Sequence, residues 1–132
     1  MTEAFFDTNT LLYVIAADAA KSARATELLR KGGAISVQVL NEFTTVALRK
    51  HALTLREIEL VLEPIRVTCR TQPLTEATYD KAAFLAGRYR YAFYDCVMIA
   101  AALLADCDVL YSEDLQHGQV IEGVLTIINP FR

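Results

Sequence analysis

Four carboxylates stand in largely apolar or neutral stretches that hold no basic residue. They are Asp7 in Phe5-Phe6-Asp7-Thr8-Asn9-Thr10, Glu42 in Val39-Leu40-Asn41-Glu42-Phe43, Asp95 in Tyr94-Asp95-Cys96-Val97, and Asp114 in Ser112-Glu113-Asp114-Leu115. No Lys or Arg lies in these stretches. Carboxylates that converge without a cation repel one another and raise each other's pKa. A hard divalent ion with oxygen ligands relieves that repulsion, and Mg²⁺ or Mn²⁺ suits a site of carboxylates and water. Such an ion activates a bound water, and two ions roughly 4 Å apart clamp the attacking and leaving oxygens of a phosphodiester. Other chemistries find less support. The two histidines, His51 and His117, are far apart and lack zinc-ligand spacing. Cys96 follows Asp95 with no evident base to activate a thiol.

Each acid also has an ordinary role available to it. Asp7 suits the N-cap of a following helix, Asp95 suits the positive end of a helix dipole, and Asp114 suits a turn. Glu42 suits a solvated helix position, but Val39 and Val46 on its own helix face and Phe43 beside it place it toward the buried side. A carboxylate turned inward needs a partner.

The elements that must position these acids follow from the pattern along the chain. Tyr94 to Ala105 is apolar almost all round and rich in Ala, the signature of a buried helix with Asp95 in its first turn. Glu3 to Phe6 predicts a first strand closed by Asp7, and Thr8-Asn9-Thr10 a turn into a helix with Leu11, Leu12, Val14 and Ile15 on its apolar side. Ala19 to Lys31 predicts a helix ending at Gly32-Gly33. Ala34 to Val37 predicts a second strand, and Gln38 to Lys50 a helix with a basic last turn. Thr54-Leu55-Arg56-Glu57 has the form of a capping box opening a helix to about Leu62, with Pro64 as its stop and Ile65 to Cys69 as a third strand. Thr75 caps a helix over Glu76 to Arg88. Val109 to Tyr111 is a fourth strand, Ser112 to Leu115 a turn or short helix, and Leu125 to Ile128 the last strand. Strands alternating with helices predict an α/β fold, a central parallel β-sheet flanked by helices on both faces, as a single domain over residues 1–132. Active sites in such sheets lie beyond the carboxyl ends of the strands, and that edge is where Asp7, Asp95 and Asp114 fall.

Composition narrows the class. The 132 residues are 54% hydrophobic, which excludes disorder, and carry a net charge of −3, which excludes a broad basic surface for nucleic acid. Cys69, Cys96 and Cys107 are odd in number and form no Cys-x-x-Cys, the usage of reduced thiols in a cytoplasmic protein. Met1-Thr2-Glu3-Ala4 has no basic run of a signal peptide, and the apolar run Cys96 to Ala105 is about half of a membrane span. The expectation is a protein with no membrane association.

The chain resembles the PIN-domain family, and within it the VapC toxins of toxin–antitoxin pairs. The resemblance spans nearly the whole sequence. It rests on Phe5-Phe6-Asp7-Thr8-Asn9-Thr10-Leu11-Leu12-Tyr13, on Ser36-Val37-Gln38-Val39-Leu40-Asn41-Glu42-Phe43, on Tyr94-Asp95 with the Ala-rich helix, on Ser112-Glu113-Asp114-Leu115-Gln116-His117-Gly118, and on the closing Asn129-Pro130-Phe131. It implies a Mg²⁺- or Mn²⁺-dependent endoribonuclease with RNA as substrate, a VapB-type antitoxin as partner, and a homodimer. Carried onto these positions, Asp7, Glu42, Asp95 and Asp114 are the acidic, metal-holding and catalytic set, and Thr8, Asn9 and Ser112 orient it. Arg88 and Arg90, interleaved with Tyr89 and Tyr91 just before Asp95, are candidate RNA contacts.

Rival readings keep the fold class and change the chemistry. A receiver-like signalling domain also gathers acids around Mg²⁺, but needs a Lys after the last strand, and Leu125 to Pro130 has none. A phosphatase of the haloacid-dehalogenase type needs Asp-x-Asp, and Asn9 stands where the second Asp would be. A non-catalytic protein-binding module of the same fold is the third.

Overall fold

A computed structural model describes residues 3–132. The first strand, β1 (Ala4–Phe6), runs through the middle of a six-stranded sheet. Phe5 and Phe6 point to opposite faces of the strand, as successive strand residues must. Both are buried, so both faces of the sheet are covered. Helices α1 (Thr8–Tyr13) and α2 (Ala19–Arg30) follow, then β2 (Gly33–Ser36) and α3 (Val37–Lys50). After α2 the chain reverses at Gly32, whose φ of 85° is costly for a side-chain-bearing residue and natural for glycine.

Helix α4 covers Leu55–Thr68 and leads directly into β3 (Cys69–Gln72). The capping box at Thr54 and Glu57 is present, but Pro64 does not stop the helix, and the strand expected over Ile65 to Cys69 lies at 69–72 instead. The reason is packing. Ile58, Leu62 and Ile65 continue one buried stripe through the proline. Pro64 itself is on the exposed side, as is Leu60, 52% exposed, whose carbonyl loses its helical donor there.

Helix α5 (Glu76–Arg88) and the apolar helix α6 (Phe93–Leu104) pack against each other, followed by β4 (Val109–Tyr111), β5 (Val120–Ile121) and β6 (Leu125–Ile128). Seven consecutive residues of α6, Cys96 to Ala102, are buried, as a helix without a polar face requires. The sheet order is β3-β2-β1-β4-β6-β5. All pairings are parallel except β5 with β6, which is antiparallel at the edge. The pattern of the sequence did not predict β5, which has two residues, one of them exposed. The chain builds outward from β1 to β2 and β3 on one side, then returns to add β4 and β6 on the other. The crevice between β1 and β4 is thus the topological switch point, the usual place for a site in an open α/β sheet. Among the described residues, no helix is long and apolar enough to cross a membrane.

Candidate active site at the carboxyl edge of the sheet

Asp7 leaves the carboxyl end of β1 directly into the switch point. Its backbone N–H donates to the Tyr111 carbonyl of β4 (3.2 Å). Its side chain is only 3% exposed. One carboxylate oxygen accepts the backbone N–H and the hydroxyl of Thr10, each at 2.9 Å, so Asp7 is the N-cap of α1. Ser112, fully buried just past β4, also hydrogen-bonds Asp7. Burial nevertheless dominates and pushes the Asp7 carboxyl up to about 6. The bonds from Thr10 and Ser112 oppose this, and the charge of Asp114 adds to it.

The other three acids reach the same place from separate elements. A cavity of about 190 Å³ is lined by Asp7, Glu42, Asp95 and Asp114, together with Thr8, Asn9, Leu12, Val46, Tyr94 and Met98. Glu42 projects from α3, and its Oε1 accepts the Thr8 hydroxyl at 3.1 Å. Asn9 donates its side-chain amide to Asp114. Asp95, in the first turn of α6, is raised above the usual carboxylate range, first by desolvation and then by the charge of Asp114. Three of the four acids are thus held by neutral donors: Thr10 and Ser112 on Asp7, Thr8 on Glu42, Asn9 on Asp114. Thr10 is the positioning residue that sequence reading passed over. The signal was available, since a residue three after an N-cap Asp receives its bond.

Among the described residues, no three His, Cys, Asp or Glu side chains sit close enough around one point to hold an ion. The donor set still suits one. No Lys or Arg lines the cavity, and Mg²⁺ keeps several of its own waters while taking one or two carboxylates directly. Oxygen donors spread around a small cavity fit an ion that is partly hydrated.

Arg88 and Arg90 part company. Arg88 Nε is 2.9 Å from Glu122 Oε2, and its guanidinium lies over the Tyr89 ring at 5.8 Å. Tyr89 donates its hydroxyl to the same carboxylate (2.8 Å) and accepts the Glu122 backbone N–H (3.0 Å). Arg90 makes no ion pair among the described residues and borders a second cleft that shares Asp114 with the first. Tyr91 is half-buried and gives its hydroxyl to Gln119. The cysteines are unpaired and buried. The Cys96 thiol is pushed up by burial, then by Asp95, which disfavours the thiolate a nucleophile needs. Next to the site, Lys21 binds Glu113 Oε2 at 2.7 Å, and Tyr13 donates to the same carboxylate, fixing the loop that carries Asp114.

The sequence profile of the PIN domain matches residues 4–122. No curated protein matches the chain. Among solved structures, one similar chain is VapC20 of Mycobacterium tuberculosis, described as a toxin that cleaves the sarcin–ricin loop. It is 21% identical with a TM-score of 0.68, over 85% of this chain and 90% of that one. Another comes from a toxin–antitoxin complex of Klebsiella pneumoniae, 19% identical with a TM-score of 0.70, over 97% of this chain and 98% of that one.

Proposed function

This chain belongs to the PIN-domain family, and from that premise we propose that it is a metal-dependent endoribonuclease, the toxin of a toxin–antitoxin pair. The observation that carries the proposal is the cavity at the switch point, whose wall includes carboxylates from four separate segments and no basic side chain. Asp7, Glu42, Asp95 and Asp114 would hold Mg²⁺ or Mn²⁺. When bound, such an ion supplies Lewis acidity toward the phosphodiester and lowers the pKa of a water that attacks it.

The chain's own residues do the rest. Asp7, with its carboxyl raised to about 6, gives up its proton near neutral pH and becomes an anionic ligand. Thr10 and Ser112 fix the direction of its oxygens, Thr8 those of Glu42, and Asn9 those of Asp114. Arg90 is the proposed RNA contact, while Arg88 is already engaged by Glu122. A receiver-like reading gains nothing, because no Lys lines the cavity.

The likeness in fold to a toxin and to a toxin–antitoxin complex supports the biological role. The proposed partners are a VapB-type antitoxin and a second copy of the chain, in the cytoplasm. An apolar groove of about 250 Å³ between α2 and α4, lined by Val14, Leu29, Val61, Pro64 and Ile65 among others, supports assembly.

The test is cleavage of RNA by the purified chain. We expect cutting with Mg²⁺ or Mn²⁺, arrest by EDTA, and products ending in 5′-phosphate and 3′-hydroxyl, because a metal-activated water does not need the 2′-hydroxyl. Asp95→Ala should abolish it. Activity that survives thorough chelation, or full cleavage by Asp95→Ala, overturns the proposal.

A further inference from the structure

The carboxylate cavity is not the end of the crevice. Asp114 also forms part of the wall of a second cleft of about 470 Å³, lined by Arg90, Tyr91, Leu115, Gln116 and Gln119. Resting on the nuclease reading, we infer that this cleft is the subsite for the ribonucleotide adjoining the scissile bond. In it Arg90 holds a phosphate and the side-chain amides of Gln116 and Gln119 read the base edge.

Charge comes first. Arg90 is exposed and makes no ion pair among the described residues, whereas neighbouring Arg88 is bound to Glu122. A free guanidinium beside a carboxylate cavity that handles phosphodiesters offers the next phosphate a charge-assisted fork. Asp114, in the wall shared by the two cavities, accepts the Asn9 side-chain amide.

Donor chemistry comes second. The Tyr91 hydroxyl donates to Gln119 Oε1, which orients the amide and leaves its NH₂ without a protein partner among the described residues. Gln116 is exposed at the same wall. Side-chain amides at fixed positions are the groups that read base edges in single-stranded RNA.

The third observation is that the cleft is preformed. Leu115 and Tyr91 pack on the core from below. The segment from Gln116 to Gln119 is tied down by its own backbone: Gly118 N–H donates to the Ile127 carbonyl (2.7 Å), Gln119 N–H to the Gln116 carbonyl (3.2 Å), and Ile127 N–H to the Gln119 carbonyl (2.9 Å). His117 Nδ1 accepts the Asn129 N–H at 2.9 Å. A wall already ordered spends little binding energy on closing around its ligand.

The experiment uses a short randomised single-stranded RNA pool with Mg²⁺, and reads binding by fluorescence anisotropy and cleavage by sequencing of the cut ends. The variants are Arg90→Ala, Gln116→Ala and Gln119→Ala. Arg66→Ala is the control of equal charge, in the last turn of α4 at the opposite edge of the sheet. Arg90→Ala should raise Kd and KM about tenfold with kcat little changed, and lower the salt dependence of binding by about 0.7 in log–log slope. The two Gln variants should flatten the base preference next to the cut. Rescue of KM by Arg90→Lys would show that the charge, not the fold, is what was lost. If the wild-type chain cuts RNA and all variants match Arg66→Ala in KM, salt slope and base preference, the subsite is overturned and the nuclease reading stands. If the chain binds RNA through Arg90 but does not cut, the nuclease reading falls, and with it the place beside a scissile bond, while the cleft stands as an RNA-binding site. If it neither binds nor cuts, both fall.

Discussion

Asp7 joins an observed structural role, the N-cap of α1, to the chemical role proposed for it. As N-cap it ties α1 to the end of β1, and as a buried carboxylate it resists ionisation. Its folded pKa of about 6 lies above the 3.8 of an unperturbed Asp, so the ionised form opposes folding. The cost is absent below about pH 4, grows between there and pH 6, and is complete above it. A rise of that size corresponds to about 3 kcal/mol at neutral pH. Asn is also a good N-cap. Asp7→Asn without metal should therefore raise the melting temperature at pH 7 to 8 and lose that advantage near pH 4. The Mg²⁺-dependent increment of the wild type should weaken as pH falls through 6, since protons compete with the ion, and should be reduced in the variant. Thermal melts across this pH range, with and without Mg²⁺, check both signs. A variant less stable than wild type at every pH would leave Asp7 as a cap and nothing more.

At the level of elements, the decisive contest is between Pro64 and the stripe that runs past it. The local rule that proline ends a helix loses to the burial of Ile58, Leu62 and Ile65 on one face of α4. The cost is confined to one missing N–H and falls on the exposed side of the helix. Pro64→Ala should then stabilise the protein, by up to about 3 kcal/mol, measured as a higher urea midpoint with an unchanged slope. A loss of stability would mean that the proline ring itself packs productively in the groove against α2. The contrast with α6 is instructive. There the composition leaves no alternative, because a helix with Ala, Val, Ile, Leu, Met and Cys all round has no face for water, and the structure buries it.

For the whole molecule, the sheet order converts distance along the chain into proximity. Asn9 and Asp114 are 105 positions apart and in direct contact. The groove between α2 and α4, and the exposed Leu55, Leu60 and Val67 of α4, leave more apolar surface than isolated surface residues need. A homodimer should give a scattering mass of twice the 14.7 kDa of the chain at micromolar concentration. A mass equal to one chain throughout that range would remove the dimer from the proposal.

The sequence by itself determined the class of the fold, most of the element boundaries and the four acids that line one cavity. Each of these is written in local patterns: alternation of short apolar runs with amphipathic stretches, the capping box at Thr54, the all-apolar helix after Asp95, and acids in stretches without Lys or Arg. The resemblance to the PIN-domain family rested on the same stretches, and the family profile bears it out. The tertiary structure decided what local patterns do not encode. It carried α4 through Pro64, added the short antiparallel β5, placed Ser112 on Asp7 and Thr8 on Glu42, and gave Arg88 to Glu122 while leaving Arg90 free to face the second cleft. In each case the deciding contact joins segments far apart in sequence or depends on which side of a helix faces the core. Burial and pairing across the fold are settled only when all the elements have packed.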